Sequence, residues 1–554
     1  MFIRIKSTPN SPRKSVQICE NRREDGKVRQ HVVRHVGIAE NEQHADELKL
    51  LANMIKKELE SERIGQTLFQ MPDLPEKELK TLQKNSKTSE PHPIDVDLTQ
   101  LKETSRIVEG FHDTFGTLFD QLQLNRILPK KQTEVLKDLV LARIADPGSK
   151  RYTQSVLAAD FGRHIHLDRI YRMMDAITPL KEEFQKRVFA GTEQLCFGDV
   201  GVLLFDVTTL YFESVEEDEL RNFGFSKDQK FHTTQVVLAL ATASNGLPIG
   251  YRLFRGDTAD VSTLLDCLED WKRSLPISRV LFVADRAMMC EKNLTALEQA
   301  GASYVVAAKL KKLPKSLTEQ ILSGPRQTNG EPALQDITLP NGRRLVTTHT
   351  LARQRKDEKD RIRGIERLQK KIGKGKNLKK LVPNYGYQKF LKVEGDGKLL
   401  LDEEKMHREE IWDGLHGVIS NIKGVPGEEL IAHYSRLWII EESFRIHKHN
   451  LSIRPIYHFN PDRIEAHILI CFLAFTLIRH MERRLEIQQE KISIEEMRQS
   501  LWRVQASLLL DHQTDKRYRL PSSMNREAKM IYQALGIRRK ERAEEILAKS
   551  NCSA

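Results

Sequence analysis

Three acids stand out by where they fall. Asp206 sits inside the run GVLLFDVTTLYFES, flanked by Leu203, Leu204, Phe205 and Val207. A carboxylate there is costly to bury unless it is paired or holds a metal ion. Asp285 closes the apolar run RVLFVAD, just before a helical pattern. The carboxyl ends of strands in open α/β sheets are where ligands collect. Glu441 lies in GEELIAHYSRLWIIEESFRIHKHN, beside Glu442. Each acid alone has an ordinary reading as a strand-edge carboxylate, a helix cap or a solvated helix residue, and alone that reading is the stronger. The combination carries more weight: one acid on a first strand, one after a fourth, one on a late helix. Phosphodiester cleavage needs charge neutralisation at phosphorus and a deprotonated nucleophile, which two divalent ions about 3.5–4 Å apart supply. Mg²⁺ takes hard oxygen ligands and keeps part of its water, so a few carboxylates suffice. A softer metal calls for a Cys or His cluster, and none is legible.

The segment around Glu441 adds a second pattern. Tyr434, Glu441 and Lys448 are spaced by seven residues. Two helical turns cover about 7.2 residues, so an uninterrupted helix from Gly427 to Asn450 puts all three on one face. A phenol, a carboxylate and an ammonium in line suit a surface that holds a metal ion beside DNA phosphates. Arg436 and Arg445 are nearby cations, and Leu430, Leu437, Ile440 and Phe444 form an apolar face. The spacing by itself fits a solvated face equally well.

These residues need elements to position them. Strand-like runs at GVLLFDVTTLYFES, TTQVVLALA, GLPIGYRLFRG, RVLFVAD and SYVVAAKL, with helices DVSTLLDCLEDWKRSL and EKNLTALEQAG, give the order β, β, β, α, β, α, β. Asn245-Gly246 marks a hairpin. Residues 310–425 change texture and read as an inserted β-containing domain. Within it, residues 351–380 carry thirteen Lys/Arg against four Asp/Glu, and strands turn at Asp396-Gly397 and Asp413-Gly414. Residues 1–100 read as a basic β-hairpin around Asp25-Gly26, a helix over ADELKLLANMIKKELE, and a polar linker. Residues 101–195 show short helical periods, which fit a DNA-end recognition module or a plain helical scaffold. The stretch Ile468–Leu485 reads as a buried helix, Ser493 with Glu496 as a capping box opening the helix EEMRQSLWRVQASLLL, and the rest as charged and helical.

Bulk composition bounds the answer. The 554 residues suit several units. Hydrophobic residues at 39% and charged residues at 30% describe a globular chain with a charged surface. A formal net charge of +12 permits a nucleic-acid partner without demonstrating one. The six cysteines lack a CxxC pair, so reduced thiols are expected rather than a zinc site or disulfides. The polar start MFIRIKSTPNSPRK is unlike a signal peptide. The apolar run Ile468–Ile478 is near half the ~20 residues that span a bilayer. The expectation is a cytoplasmic protein with no membrane partner.

The chain resembles the DDE transposases of bacterial insertion sequences, in the superfamily named for insertion sequence four and the group named for insertion sequence sixteen-thirty-four. The resemblance rests on the opening MFIRIK, LLFDVTTLYFES, GLPIGYRLFRGDTAD, VLFVADRAM and YSRLWIIEESFRIHKHNLSIRPIYH with EAHILICFLAFTL. The last block is the most specific: Tyr434, Glu441 and Lys448 match the family's pattern. Leu437 stands where the family carries Arg, and Arg436 lies one residue early, about 100° around a helix. The resemblance implies an α/β fold: a ribonuclease-H-like catalytic core over 196–309 and 426–485, interrupted by the 310–425 insertion, with a mainly helical N-terminal region and a helical C-terminus over 486–554. It implies Asp206, Asp285 and Glu441 as catalytic and metal-binding residues. Two Mg²⁺ ions are expected, with Mn²⁺ as the substitute. Tyr434, Lys448, Arg436 and Arg445 are the expected DNA contacts. Transposon ends and target DNA are the expected partners, with a homodimer in the synaptic complex. A metal-dependent nuclease on the same fold, or a DNA-binding relative without catalysis, is the competing reading.

Overall fold

The computed structural model describes residues 1–7, 13–24, 27–64, 96–196, 201–224, 232–258, 260–274, 281–285, 290–328, 330–373, 390–393 and 399–546. The expected turns at Asp25-Gly26 and Asp396-Gly397, and most of the polar linker expected before residue 101, lie outside these residues. At the N-terminus β1 (Phe2–Ser7), β2 (Lys14–Glu24) and β3 (Lys27–Ala39) form an antiparallel sheet. Helix α1 (Glu42–Ile64) follows, with Leu48, Leu51 and Ile55 buried as their spacing requires. Strand β4 (Leu101–Val108) precedes five helices: α2 (Gly110–Gln121), α3 (Lys130–Ala145), α4 (Lys150–Ala159), α5 (Leu167–Ile177) and α6 (Lys181–Leu195).

The expected β, β, β, α, β, α, β order is present as β5 (Val202–Tyr211), β6 (Gln235–Ala243), β7 (Pro248–Arg255), α7 (Asp260–Ser274), β8 (Leu281–Ala284), α8 (Glu291–Gln299) and β9 (Ser303–Ala307). Every residue of β6 is buried, as a strand covered on both faces demands. β5, β6 and β7 pair antiparallel, whereas β8 pairs parallel with β5 and β9 parallel with β8. The β6–β7 hairpin closes at Asn245-Gly246, where Gly246 takes φ +81°, a conformation glycine adopts without a Cβ penalty.

The 310–425 segment does not stand apart from this sheet. It contributes α9 (Lys315–Leu322), β10 (Ala333–Thr338), β11 (Arg344–His349), α10 (Leu351–Gly373), β12 (Leu391–Val393), β13 (Leu399–Leu401), α11 (Glu403–Glu410) and β14 (Leu415–Ser420). β14 pairs with β9, β11 with β14 and β10 with β11. The result is one eight-stranded mixed sheet in the order β10-β11-β14-β9-β8-β5-β6-β7.

The C-terminal part comprises α12 (Gly427–Ser435), α13 (Trp438–Arg445), α14 (Pro461–Ile487), α15 (Ile494–Trp502), β15 (Gln505–Asp511), β16 (Arg517–Pro521), α16 (Arg526–Leu535) and β17 (Glu544–Ile546). Two expectations are corrected here. The helix opened by the Ser493–Glu496 capping box, which is present, ends at Trp502, and the apolar run QASLLLD is a strand. Residues 486–554 are therefore not simply helical: β15, β16 and β17 form a four-stranded sheet with β4. A short apolar run fits either period, and the partner that decides it lies about 400 residues upstream.

Helix α14 is long and apolar enough to cross a membrane by composition, but 89% of its apolar window is buried inside the protein. It packs against α3 and α5, and the helical 110–195 region shares one core with it, α12, α13 and one face of the large sheet. The opposite sheet face packs on α7, α8 and the N-terminal sheet with α1.

Candidate functional site

The two aspartates are placed by strand register. Phe205 pairs with Ala284 as the last rung of the parallel β5–β8 ladder, so Asp206 and Asp285 come next on neighbouring chains. Neighbouring strands lie about 4.8 Å apart. Alternation along β5 sends Leu203, Phe205 and Val207 to the face shared with α7 and Leu204 to the face shared with α13. Asp206 follows Leu204 in that alternation. In β8, Val283 has the α13 side and Ala284 the other, so Asp285, two residues after Val283, falls in phase with Asp206. Asp206 is half-buried and Asp285 exposed.

Glu441 comes to the same side on α13, which packs across β5 and β6. Ile440 and Phe444 of that helix are buried, and Glu441 is exposed in its first turn. The neighbouring acids Glu441 and Glu442 differ in their surroundings. Glu442 accepts from Arg445 at 3.1 Å and lies 3.6 Å from Arg479 of α14. Among the described residues Glu441 has no ion pair.

The uninterrupted helix expected from Gly427 to Asn450 is corrected. α12 ends at Ser435, and the chain tightens through i→i+3 bonds from Arg436, Leu437, Ile439 and Ile440 to carbonyls three residues earlier. Residues Ile446–Asn450 then widen into a π turn. Three residues per turn in place of 3.6 advances each residue by about 20° more, so seven-residue spacing no longer fixes a common face for Tyr434, Glu441 and Lys448. Tyr434 is half-buried, its ring 5.0 Å from that of His416 on β14. Lys448 is half-buried in the π turn. Next to it His447 is buried, its Nδ1 2.9 Å from the Ser443 carbonyl oxygen and its ring 4.4 Å from that of Phe475. Burial pushes this imidazole down to about 4. Arg436 and Arg445 are exposed.

The donor set is oxygen only, which fits a hard divalent cation better than zinc or copper. Among the described residues, no group of three or more Asp, Glu, His or Cys side chains is gathered to hold a metal ion. Nothing in the sequence singles out a separate cationic grouping of Arg143, Lys150, His458 and His467 around one cavity. Its members come from distant segments, and its one local signal is Ser149 as the N-cap of α4.

No curated protein matches the chain. Among solved structures it is similar to the piggyBac transposase in a synaptic complex with hairpin DNA, at 9% identity over 71% of this chain and 77% of that one, with a TM-score of 0.37. The transposase DDE domain family matches residues 199–477, which include both aspartates and Glu441. The IS1634 family transposase N-terminal domain matches residues 3–67. The chain belongs to the DDE transposases, in the IS1634 family.

Proposed function

We propose that Asp206, Asp285 and Glu441 are the catalytic carboxylates of this transposase and would hold its divalent metal, two Mg²⁺ ions being the expected complement. The observation that carries the reading is the register of β5 and β8, which brings Asp206 and Asp285 to one level and one side of the sheet, where α13 also packs. The β7-β6-β5-β8-β9 order with β6 antiparallel suits a ribonuclease-H-like core. When bound, the metal supplies charge neutralisation at phosphorus and activation of the attacking oxygen. The protein's own part is positional. The exposed Asp285 and Glu441 leave the site open to a backbone as wide as DNA, and the apolar anchors Leu204, Val283, Ile440 and Phe444 fix the elements that carry the acids. Water and then a DNA 3′ hydroxyl act as nucleophiles, so no covalent protein intermediate is required. Tyr434, Lys448, Arg436 and Arg445 hold phosphates near the scissile bond. The exposed basic face of α10 adds contacts that weaken in salt. Cutting two ends together calls for a homodimer in the synaptic complex.

The test is cleavage of DNA carrying the element's own ends, with and without Mg²⁺, by wild type, Asp285→Ala and Glu441→Gln. Metal-dependent nicks and joined products from wild type, with binding but no cleavage from either variant, support the assignment. Cleavage retained by a purified variant removes that residue from the mechanism.

A further inference from the structure

A cavity of about 700 Å³ lies between the start of α4, helix α5 and the loop that joins the π turn to α14. Arg143, Lys150, Arg151, Arg454, His458 and His467 line it, and among the described residues no Asp or Glu does. The inner two cations are almost fully buried: Arg143 is 3% exposed and Lys150 4%. Burying a cation without a counter-charge is costly, yet among the described residues neither has a carboxylate partner.

The hydrogen-bond partners of Arg143 and Lys150 among the described residues are neutral groups. Arg143 donates to the Gly148 carbonyl at 2.8 Å and to the Leu451 carbonyl at 3.5 Å. The Lys150 ammonium lies 3.3 Å from Nδ1 of His467, whose Nε2 lies 3.0 Å from the Ile453 carbonyl oxygen. Only a protonated Nε2 satisfies that carbonyl, which leaves Nδ1 to accept from Lys150. One of the three Lys150 donors is then used. Ser149 caps α4, accepting from the Tyr152 amide at 3.2 Å, and the positive end of the ten-residue helix opens at the cavity. The electrostatics agree: burial and Arg143 push Lys150 down to about 7, and burial with Lys150 and Arg143 pushes His458 down to about 3. A place that disfavours the protonated forms of Lys150, His458 and His467 favours an anion.

We infer that this cavity is a phosphate-binding site, built by Arg143 and Lys150 inside and Arg151 and Arg454 at its mouth, that receives a backbone phosphate of the bound DNA. Its place in the fold argues for DNA as the source. The Arg454 guanidinium lies 5.3 Å from the ring centroid of Tyr211, and Ile456 bridges Phe212, so the lining loop follows the end of β5. Tyr211 is five residues beyond Asp206, roughly 16 Å along a strand. Tyr457, 59% exposed at the mouth, offers a ring face to a base. The inference rests on the chain acting on DNA, as proposed above.

The test uses the full chain in EDTA, so that binding is read without cleavage. Fluorescence anisotropy follows a duplex carrying the element's end and an unrelated duplex, across a salt series, for wild type and Lys150→Met. Melting is followed with and without inorganic phosphate. The expected result is that phosphate raises the wild-type melting temperature and not that of Lys150→Met. The variant binds both duplexes roughly tenfold more weakly, and its log–log salt slope is lower by about one. Should Lys150→Met not fold, Arg151→Gln at the exposed mouth carries the same comparison, with a loss of about threefold expected. Unchanged DNA affinity in a folded variant overturns the proposal. If phosphate still protects wild type in that case, the occupant is a free anion and not DNA. Wild type that binds ends in EDTA but does not cut them in Mg²⁺ defeats the catalytic assignment and leaves this site standing.

Discussion

His447 offers a direct reading of how the segment after Glu441 is held. It is 2% exposed, and burial lowers its folded value from 6.5 to about 4. The unfolded chain therefore takes up this proton at a higher pH than the folded chain does. The imidazole costs the fold nothing above about pH 6.5, and its penalty grows as the pH falls towards 4. At about 1.4 kcal/mol per pH unit, lowering the pH from about 7.5 to about 4.5 removes roughly 2–3 kcal/mol of stability through this one group. Burial at this level leaves little solvent to screen it. His447→Gln keeps a donor for the Ser443 carbonyl and does not titrate. Urea denaturation of both proteins at the two pH values isolates the effect. The buried His467 and His480, which also have lowered values, act in both proteins and cancel. The wild type should lose roughly 2–3 kcal/mol more than the variant between the two pH values. Parallel losses, within about 0.5 kcal/mol, would refute the claim that His447 is buried and neutral.

Three further substitutions separate the scaffold of the site from its chemistry. Ile440→Ala removes a fully buried side chain from the helix that carries Glu441; urea denaturation should show a loss of about 2–4 kcal/mol, and Mg²⁺-dependent nicking should fall while end binding persists. Gly246→Ala forces a Cβ into the left-handed region at φ +81° and against the Arg479 guanidinium. It should destabilise by about 1–3 kcal/mol in thermal melts, and a neutral result would place the turn differently. Glu442→Gln frees Arg445 and Arg479 from their shared partner. It should cost about 1 kcal/mol and retain cleavage, the reverse of Glu441→Gln, and equal loss of cleavage from both would erase the distinction between the two acids.

Local chemistry made much of the fold legible. Asn245-Gly246 declared its hairpin, Ser493 with Glu496 its capping box, and the run of β-branched and apolar residues around Asp206 its strand. Distant pairing was not legible. Nothing near Gln505 says that its partner is Val108, and nothing near Arg344 says that β11 will reach β9 through β14. The tightening at Arg436–Leu437 uses neither Gly nor Pro, so periodicity ran straight through it. The acids were legible as strand-borne and helix-borne carboxylates. Their common side of the sheet was not, because it depends on the parallel register of two strands about 80 residues apart.

That division has a physical cause. Asp285 and Glu441 are exposed, so they add little apolar packing of their own to the fold. The anchors of the elements that carry them lie close by in the chain. Leu204, Val283, Ile440 and Phe444 belong to a single buried cluster, and each is within two or three residues of an acid. Exchanging an acid for its amide removes a charge from solvent and leaves that cluster untouched. Shrinking a cluster residue moves the element that carries the acid and opens a cavity beside it. The chemistry and the stability of this site are therefore written in different residues of the same short segments.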